Sequence, residues 1–176
     1  MHKINVVGTS GSGKSTFSRQ LAQTLNYPYI EMDRLFWKAD WQESSDDEFF
    51  AQIEEATQQP YWVLDGNYNR SREIKWKEVD TVIWVDYSRL RTLYQAVTRA
   101  VYRCLTQKEL WPGTGNTESI VKSFFSRDSI ILWTLKTYHS NRQRYLADMT
   151  NQRYQHIRFI RLTSPRHAKR FLQQLS

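Results

Sequence analysis

Gly8-Thr9-Ser10-Gly11-Ser12-Gly13-Lys14-Ser15 fits the pattern G-x-x-x-x-G-K-[ST] without a mismatch. A short apolar run, Ile4-Asn5-Val6-Val7, precedes it, and a helical spacing through Phe17, Leu21 and Leu25 follows it. Strand, glycine loop and helix form the context that a phosphate-binding loop requires. Glycines at 8, 11 and 13 let the backbone curl so that successive N–H groups point into one anion-sized nest. The helix starting near Lys14 adds its positive end to the same spot. In such a loop Lys14 reaches the β- and γ-phosphates, and the Ser15 hydroxyl holds Mg²⁺. Thr9, Ser10, Ser12 and Thr16 complete the expected nucleotide contacts, and the ligand is expected to be ATP with Mg²⁺.

The chain has 176 residues, 40% of them hydrophobic and 14% aromatic, enough for one domain (1–176) with a real core. No apolar run approaches the ~20 residues of a membrane span. The strand and glycine loop begin at the N-terminus, so no signal peptide is expected there. The single cysteine, Cys104, leaves no partner for an internal disulfide and no cysteine-based zinc site. It follows a helix end without a companion histidine and reads as structural. His2, His139, His156 and His167 show no metal spacing. Together these features predict a cytoplasmic protein. The net charge of +7 suits an anionic partner, either a phosphorylated small molecule or nucleic acid.

Downstream, Tyr27 to Asp33 reads as a short second strand ending in acids, followed by an irregular aromatic stretch with Phe36, Trp37 and Trp41. Ser45-Asp46-Asp47-Glu48 looks like a capped helix start. Tyr61 to Asp65 and Thr81 to Asp86 are the third and fourth strands, and the fourth is continuously apolar. The next helix carries a stripe at Leu90, Leu93, Tyr94, Val97 and Val101, expected to face the core. A break at Trp111 to Gly115 precedes a long helix from about Glu118 past Tyr138. His156 to Leu162 is a fifth strand, and Pro165 opens the last helix. Strands alternating with helices imply an α/β fold, a parallel sheet with helices on both faces. Ligands then bind at the carboxyl ends of the strands.

That rule selects the candidate residues. Asp65 ends strand three and fits the carboxylate that holds Mg²⁺ with Ser15; the alternative is a turn aspartate before Gly66. Asp86 competes for the role, but reads better as a helix N-cap. Asp33 can orient or deprotonate an acceptor hydroxyl, or else cap a surface helix. Trp37 can stack on a substrate ring or pack into a lid. Arg70 stands near enough to meet an acceptor. Arg99 and Arg103 face away from the apolar stripe and read as solvated, whereas Arg91 at its edge is the candidate phosphate clamp. Arg142 and Arg144 can close onto the γ-phosphate as lid arginines do.

With these residues in place, the chain resembles the adenylate-kinase-like branch of P-loop kinases, and within it the small DNA-topology-modulation or FlaR-type proteins. The likeness rests on GTSGSGKST at 8–16, MDRLFWKADW at 32–41, LDGNYNR at 64–70, VIWVDYSRLRTL at 82–93 and RLTSPRHAKRFL at 161–172. It implies a three-layer P-loop NTPase fold, a five-stranded parallel sheet in the order 2-3-1-4-5, and a short helical lid at about 104–127. It also implies an adenine loop at Thr163-Ser164-Pro165. Adenylate kinases carry D-G-F-P-R where this chain has Asp65-Gly66-Asn67-Tyr68-Asn69-Arg70. The acceptor therefore need not be AMP. The expected activity is Mg-ATP-dependent phosphoryl transfer to a small molecule, a nucleoside or nucleotide first. The alternative is a nucleotide-dependent regulator that binds nucleic acid, for which no DNA-reading motif is visible.

Overall fold

The structure is a computed structural model that describes residues 1–107, 109–117 and 130–175. Its centre is a five-stranded parallel sheet of β1 (Lys3–Gly8), β2 (Tyr29–Glu31), β3 (Trp62–Asp65), β4 (Thr81–Val85) and β5 (Arg158–Leu162). The order is β2-β3-β1-β4-β5, as the resemblance implies. β1 lies between β3 (Lys3 opposite Trp62) and β4 (Ile4 opposite Thr81), which makes the strand before the glycine loop the centre of the sheet.

Alternation along the strands builds two cores. Ile4, Val6, Val63, Ile83 and Val85 face one way, against Phe17 and Leu21 of α1 (Lys14–Leu25) and Ala168 of the last helix, α7 (Pro165–Gln173). Val7, Trp62, Leu64, Val82 and Trp84 face the other way. There they meet α2 (Met32–Phe36) through Met32 and Phe36, and α3 (Asp46–Ala56) through Phe49 and Ile53. The capping box of α3 forms as expected: Ser45 Oγ accepts from the Glu48 N–H, and the Glu48 carboxylate accepts from the Ser45 N–H. The remaining helices are α4 (Arg72–Lys75), α5 (Arg89–Thr106) and α6 (Ile130–Thr150). Of the long helix expected from Glu118, residues 118–129 lie outside the described residues, as do residues 108 and 118–127 of the lid expected at 104–127. Within that segment, Cys104 to Thr106 are the end of α5, and Cys104 is buried.

Three expectations are corrected. β2 ends at Glu31, and Asp33 lies in the first turn of the short helix α2. Asp86 does not cap α5: Ser88 does, its Oγ accepting from the Arg91 N–H at 3.4 Å. Most importantly, the apolar stripe of α5 faces outward, with Leu90 80% and Tyr94 62% exposed. Thr92, Ala96, Ala100 and Cys104 form its buried face. A small-residue face allows close backbone approach, and the glycine loop uses it. A Cβ added at Gly11 would meet the Ala96 Cβ at 2.7 Å and the Thr92 carbonyl oxygen at 2.9 Å, and Gly11 sits at φ +81°. Close packing against the loop overrides the larger apolar area of the other face.

Candidate nucleotide and acceptor site

The loop from Gly8 to Ser15 leaves the carboxyl end of β1 and opens α1. Gly13 precedes the helix at φ +87°, with no side-chain cap and no acid in the first turn of α1. The first N–H groups of α1 are therefore left for an external anion. The Ser12 hydroxyl is buried here without a hydrogen-bond partner among the described residues. The loop is held from behind: Thr134 of α6 donates to the Ser10 carbonyl at 3.3 Å, and Arg99 of α5 donates to Ser10 Oγ at 3.3 Å.

Asp65 closes the cradle from β3. It is 3% exposed; its Oδ2 accepts from the Tyr29 hydroxyl at 2.9 Å. Its Oδ1 has no hydrogen-bond partner among the described residues and lies 3.8 Å from Lys14 Nζ. Burial, with the Asp65 and Glu31 carboxylates beside it, pushes the Tyr29 phenol well above its ordinary range, so Tyr29 remains a donor. A buried, unpartnered carboxylate oxygen beside Lys14 fits a hard cation with oxygen ligands.

Two residues that sequence patterns did not single out fix the loop after Asp65. Asn67 spans the gap to the glycine loop: its Oδ1 accepts from the Gly8 N–H at 3.0 Å and its Nδ2 donates to the Gly8 carbonyl at 2.7 Å. The Tyr145 hydroxyl of α6 also donates to Asn67 Oδ1 at 3.0 Å. Lys75, fully buried beneath, donates to the Asn67 carbonyl and reaches the Gly66 and Tyr68 carbonyls, both at 3.5 Å. Its burial, reinforced by the charges of Arg144 and Arg72, pulls its pKa down to about 7. The unfolded chain then holds a proton that the folded one lacks between about pH 7 and the ordinary lysine value of 10.5. Folding stability should rise with pH across that window by up to ~1.4 kcal/mol per pH unit. Above about pH 10 the trend turns, because burial raises Tyr29, Tyr68, Tyr87 and Tyr145 and favours their neutral forms in the folded state. Urea unfolding from pH 7 to 10 should show the rise, and Lys75→Met should flatten it.

One open cleft of about 1370 Å³ runs from the glycine loop to the aromatic segment, with Lys14, Ser15, Asp33, Trp37 and Arg70 all on its wall. Asp33 presents one oxygen to Tyr68, whose hydroxyl donates to Oδ1 at 2.7 Å. Burial and the Asp33 charge raise the Tyr68 phenol far above its usual value. Arg70 pairs with Asp46 at 2.9 Å and lies 4.6 Å over the Phe36 ring. Trp37 meets Trp41 edge-on with ring centroids 5.5 Å apart.

The arginines fall differently from expectation. Arg91 is exposed, lies 5.9 Å over the Tyr94 ring and stands outside the cleft wall. Because the α5 stripe faces solvent, the opposite face of the helix, with Arg99 and Arg103, turns into the cleft. On α6, Thr137, Asn141 and Arg144 share the cleft face, at the i, i+4, i+7 spacing. Arg142, a third of a turn away, lies instead 3.6 Å from Asp86, which also takes Arg161 at 2.6 Å. A second groove, of about 560 Å³, flanks the glycine loop and is lined by Gly13, Thr16, Tyr87, Gln95, Pro165 and Lys169. Pro165 thus reaches the nucleotide side. The Ser164 side chain is committed to capping α7, accepting from the His167 N–H at 3.2 Å. No group of three metal-ligating side chains stands together among the described residues, and no described helix is long and apolar enough to cross a membrane.

A family model described as an AAA domain, AAA_18, matches residues 4–108, the glycine loop, Asp33, Asp65 and all of α5 included. The chain belongs to the AAA_18 family. A search of curated proteins finds no match. Among solved structures, this AAA_18 chain is similar to a shikimate kinase from Acinetobacter baumannii in complex with shikimate. The TM-score is 0.60 at 16% identity, over 99% of this chain and 90% of that one. A gluconokinase from Sinorhizobium meliloti 1021 gives a TM-score of 0.53 at 18% identity, over 99% and 93%. A shikimate kinase from Bacteroides thetaiotaomicron gives 0.52 at 12% identity, over 98% and 94%. At these identities the AAA_18 chain shares their fold along nearly its whole length.

Proposed function

We propose that the protein is a kinase that transfers the γ-phosphoryl group of Mg-ATP to a hydroxyl of a small molecule. The observation that carries this reading is that Lys14 and Asp33 face one continuous cleft. The fold shared with shikimate kinases and a gluconokinase supports it. The nucleotide base occupies the groove beside Pro165, and the triphosphate runs along the loop toward Lys14. Ser15 and Asp65 would hold Mg²⁺, which would supply charge neutralisation at the phosphates. Lys14, Arg99 and Arg144 surround the transferring group, taking the part that Arg91 and Arg142 are too far outside the cleft to play. Asp33, held by Tyr68, receives the acceptor's proton as its oxygen bonds to the γ-phosphorus and the bond to the ADP oxygen breaks. Catalysis is then mainly positioning and electrostatics.

Six basic residues line the cleft, Lys14, Arg19, Arg70, Arg99, Arg103 and Arg144, so the excess positive charge has a use that needs no nucleic acid. The FlaR-type likeness belongs to this proposal too, since the segments at 32–41 and 64–70 build the acceptor end. The test is transfer of label from γ-labelled ATP, with Mg²⁺, to a panel of nucleosides, nucleotides and sugars. A labelled acceptor is expected. Intact ATP binding with transfer to no member of the panel would defeat the proposal.

A further inference from the structure

The acceptor end of the cleft has a charge and a shape that discriminate among acceptors. Its floor and walls are aromatic. Phe36, Trp37, Trp41 and Trp111 form an edge-to-face ladder with centroid distances of 4.9, 5.5 and 5.7 Å. The ladder is fixed before any ligand arrives. Asn116 Nδ2 donates to the Lys38 carbonyl at 2.8 Å, and its Oδ1 accepts from the Trp41 N–H at 3.0 Å, tying the turn that carries Trp111 to the segment that carries Trp41. Rings locked in this way offer rigid apolar faces at little entropic cost.

Around Tyr68 the carboxylates outnumber the cations: Asp33, Glu43 and Asp46 stand against Arg70. Two of the cleft cations already lie on carboxylates: Arg19 on Glu31 at 3.0 Å, and Arg70, which stands over the Phe36 ring, on Asp46 at 2.9 Å. Asp33 and Glu43 also line the cleft, and neither forms an ion pair among the described residues. Glu43 pairs with Trp37 in an isolated antiparallel bridge, which holds it beside the ladder, and its charge adds to the rise in the Tyr68 phenol. The other cleft arginines, Arg99, Arg103 and Arg144, sit on α5 and α6, with Arg99 held at Ser10 of the phosphate loop. A second anionic group on the acceptor would thus face two carboxylates and have to displace Asp46 from Arg70.

We infer that the acceptor is an uncharged, polyhydroxylated ring compound, a nucleoside or sugar carrying neither phosphate nor carboxylate, seated on the Trp37–Trp41–Trp111 ladder between Asp33 and Glu43. This rests on the kinase reading of the same cleft and narrows it. Carboxylates such as Asp33 and Glu43 accept hydrogen bonds from ring hydroxyls, while the indoles cover the apolar ring face.

The experiment is a tryptophan-fluorescence titration with Mg²⁺ and a non-hydrolysable ATP analogue at saturation, which fills the nucleotide side. The probes are matched pairs: nucleosides with their 5′-monophosphates, and hexoses with the corresponding hexonates. In at least one pair the neutral member should bind at least about tenfold more tightly than its anion, and Glu43→Gln should narrow that ratio. The inference is overturned if the anion binds more tightly in every pair that binds, if no neutral member binds up to millimolar concentration, or if Glu43→Gln leaves the ratio unchanged. Phosphate transfer is read separately with ATP itself. A neutral ligand that binds and is never phosphorylated would defeat the kinase reading and leave the binding assignment standing; a phosphorylated anion would do the reverse.

Discussion

Replacing Lys14 by alanine is expected to lower phosphoryl transfer by about 10²–10³-fold and to weaken ATP binding, while the fold persists. Lys14 belongs to neither apolar core, and its ammonium lies 3.8 Å from Asp65 Oδ1. Removing it takes away the charge that would meet the phosphates and also leaves the Asp65 carboxylate, 3% exposed, facing them alone. Like charges then add to the loss. Calorimetric titration with ATP and a thermal melt of the same variant check both halves. Unchanged ATP affinity would contradict the site, and a collapsed melting transition would show that Lys14 holds the fold.

Asp33→Asn is expected to reduce kcat by about 10²–10⁴-fold with little change in the KM for ATP. Asparagine keeps an oxygen for the Tyr68 hydroxyl, which donates to Asp33 Oδ1 at 2.7 Å, so the segment should hold its geometry. What disappears is the acceptor for the substrate proton. Steady-state kinetics on whichever acceptor the panel yields provide the check. A fall in acceptor affinity with kcat intact would make Asp33 a binding group. Asp65→Asn should behave differently, since it disturbs Lys14 and the Tyr29 hydrogen bond on the nucleotide side.

The fold was legible from the sequence because its signals are local. β4 is a continuous apolar run and β1 an apolar run broken only by Asn5, the glycine loop stands between a strand and a helix, and the capping box at Ser45 marks a helix start. The misread element, α5, shows where such reading stops. Both of its faces repeat at the helical period: Leu90, Tyr94, Val97 and Val101 on one, Thr92, Ala96, Ala100 and Cys104 on the other. Hydropathy favours the first face. Close approach of Gly11 selects the second, and a small side chain advertises nothing in a hydropathy pattern. That inversion carried the arginines with it, turning Arg99 and Arg103 inward and Arg91 out. Asp33 was found as a candidate although its strand ends two residues earlier, because the short helix α2 continues toward the same cleft. Asn67 and Lys75 had no signal to read. Each works by bonding main-chain groups of a loop, which any polar residue can do on paper and only the folded chain assigns.

The position of β1 at the centre of the sheet has a kinetic consequence. Of the five strands of this sheet it is made first, yet its partners begin only at Trp62 and Thr81. Until β3 and β4 have emerged, Ile4, Val6 and Val7, all essentially inaccessible in the finished protein, sit on a strand with two open edges. Parallel pairings across such distances form slowly. The nascent chain therefore passes through an association-prone interval with the phosphate loop's own strand exposed, until residues 62–85 have been made and can cover both edges.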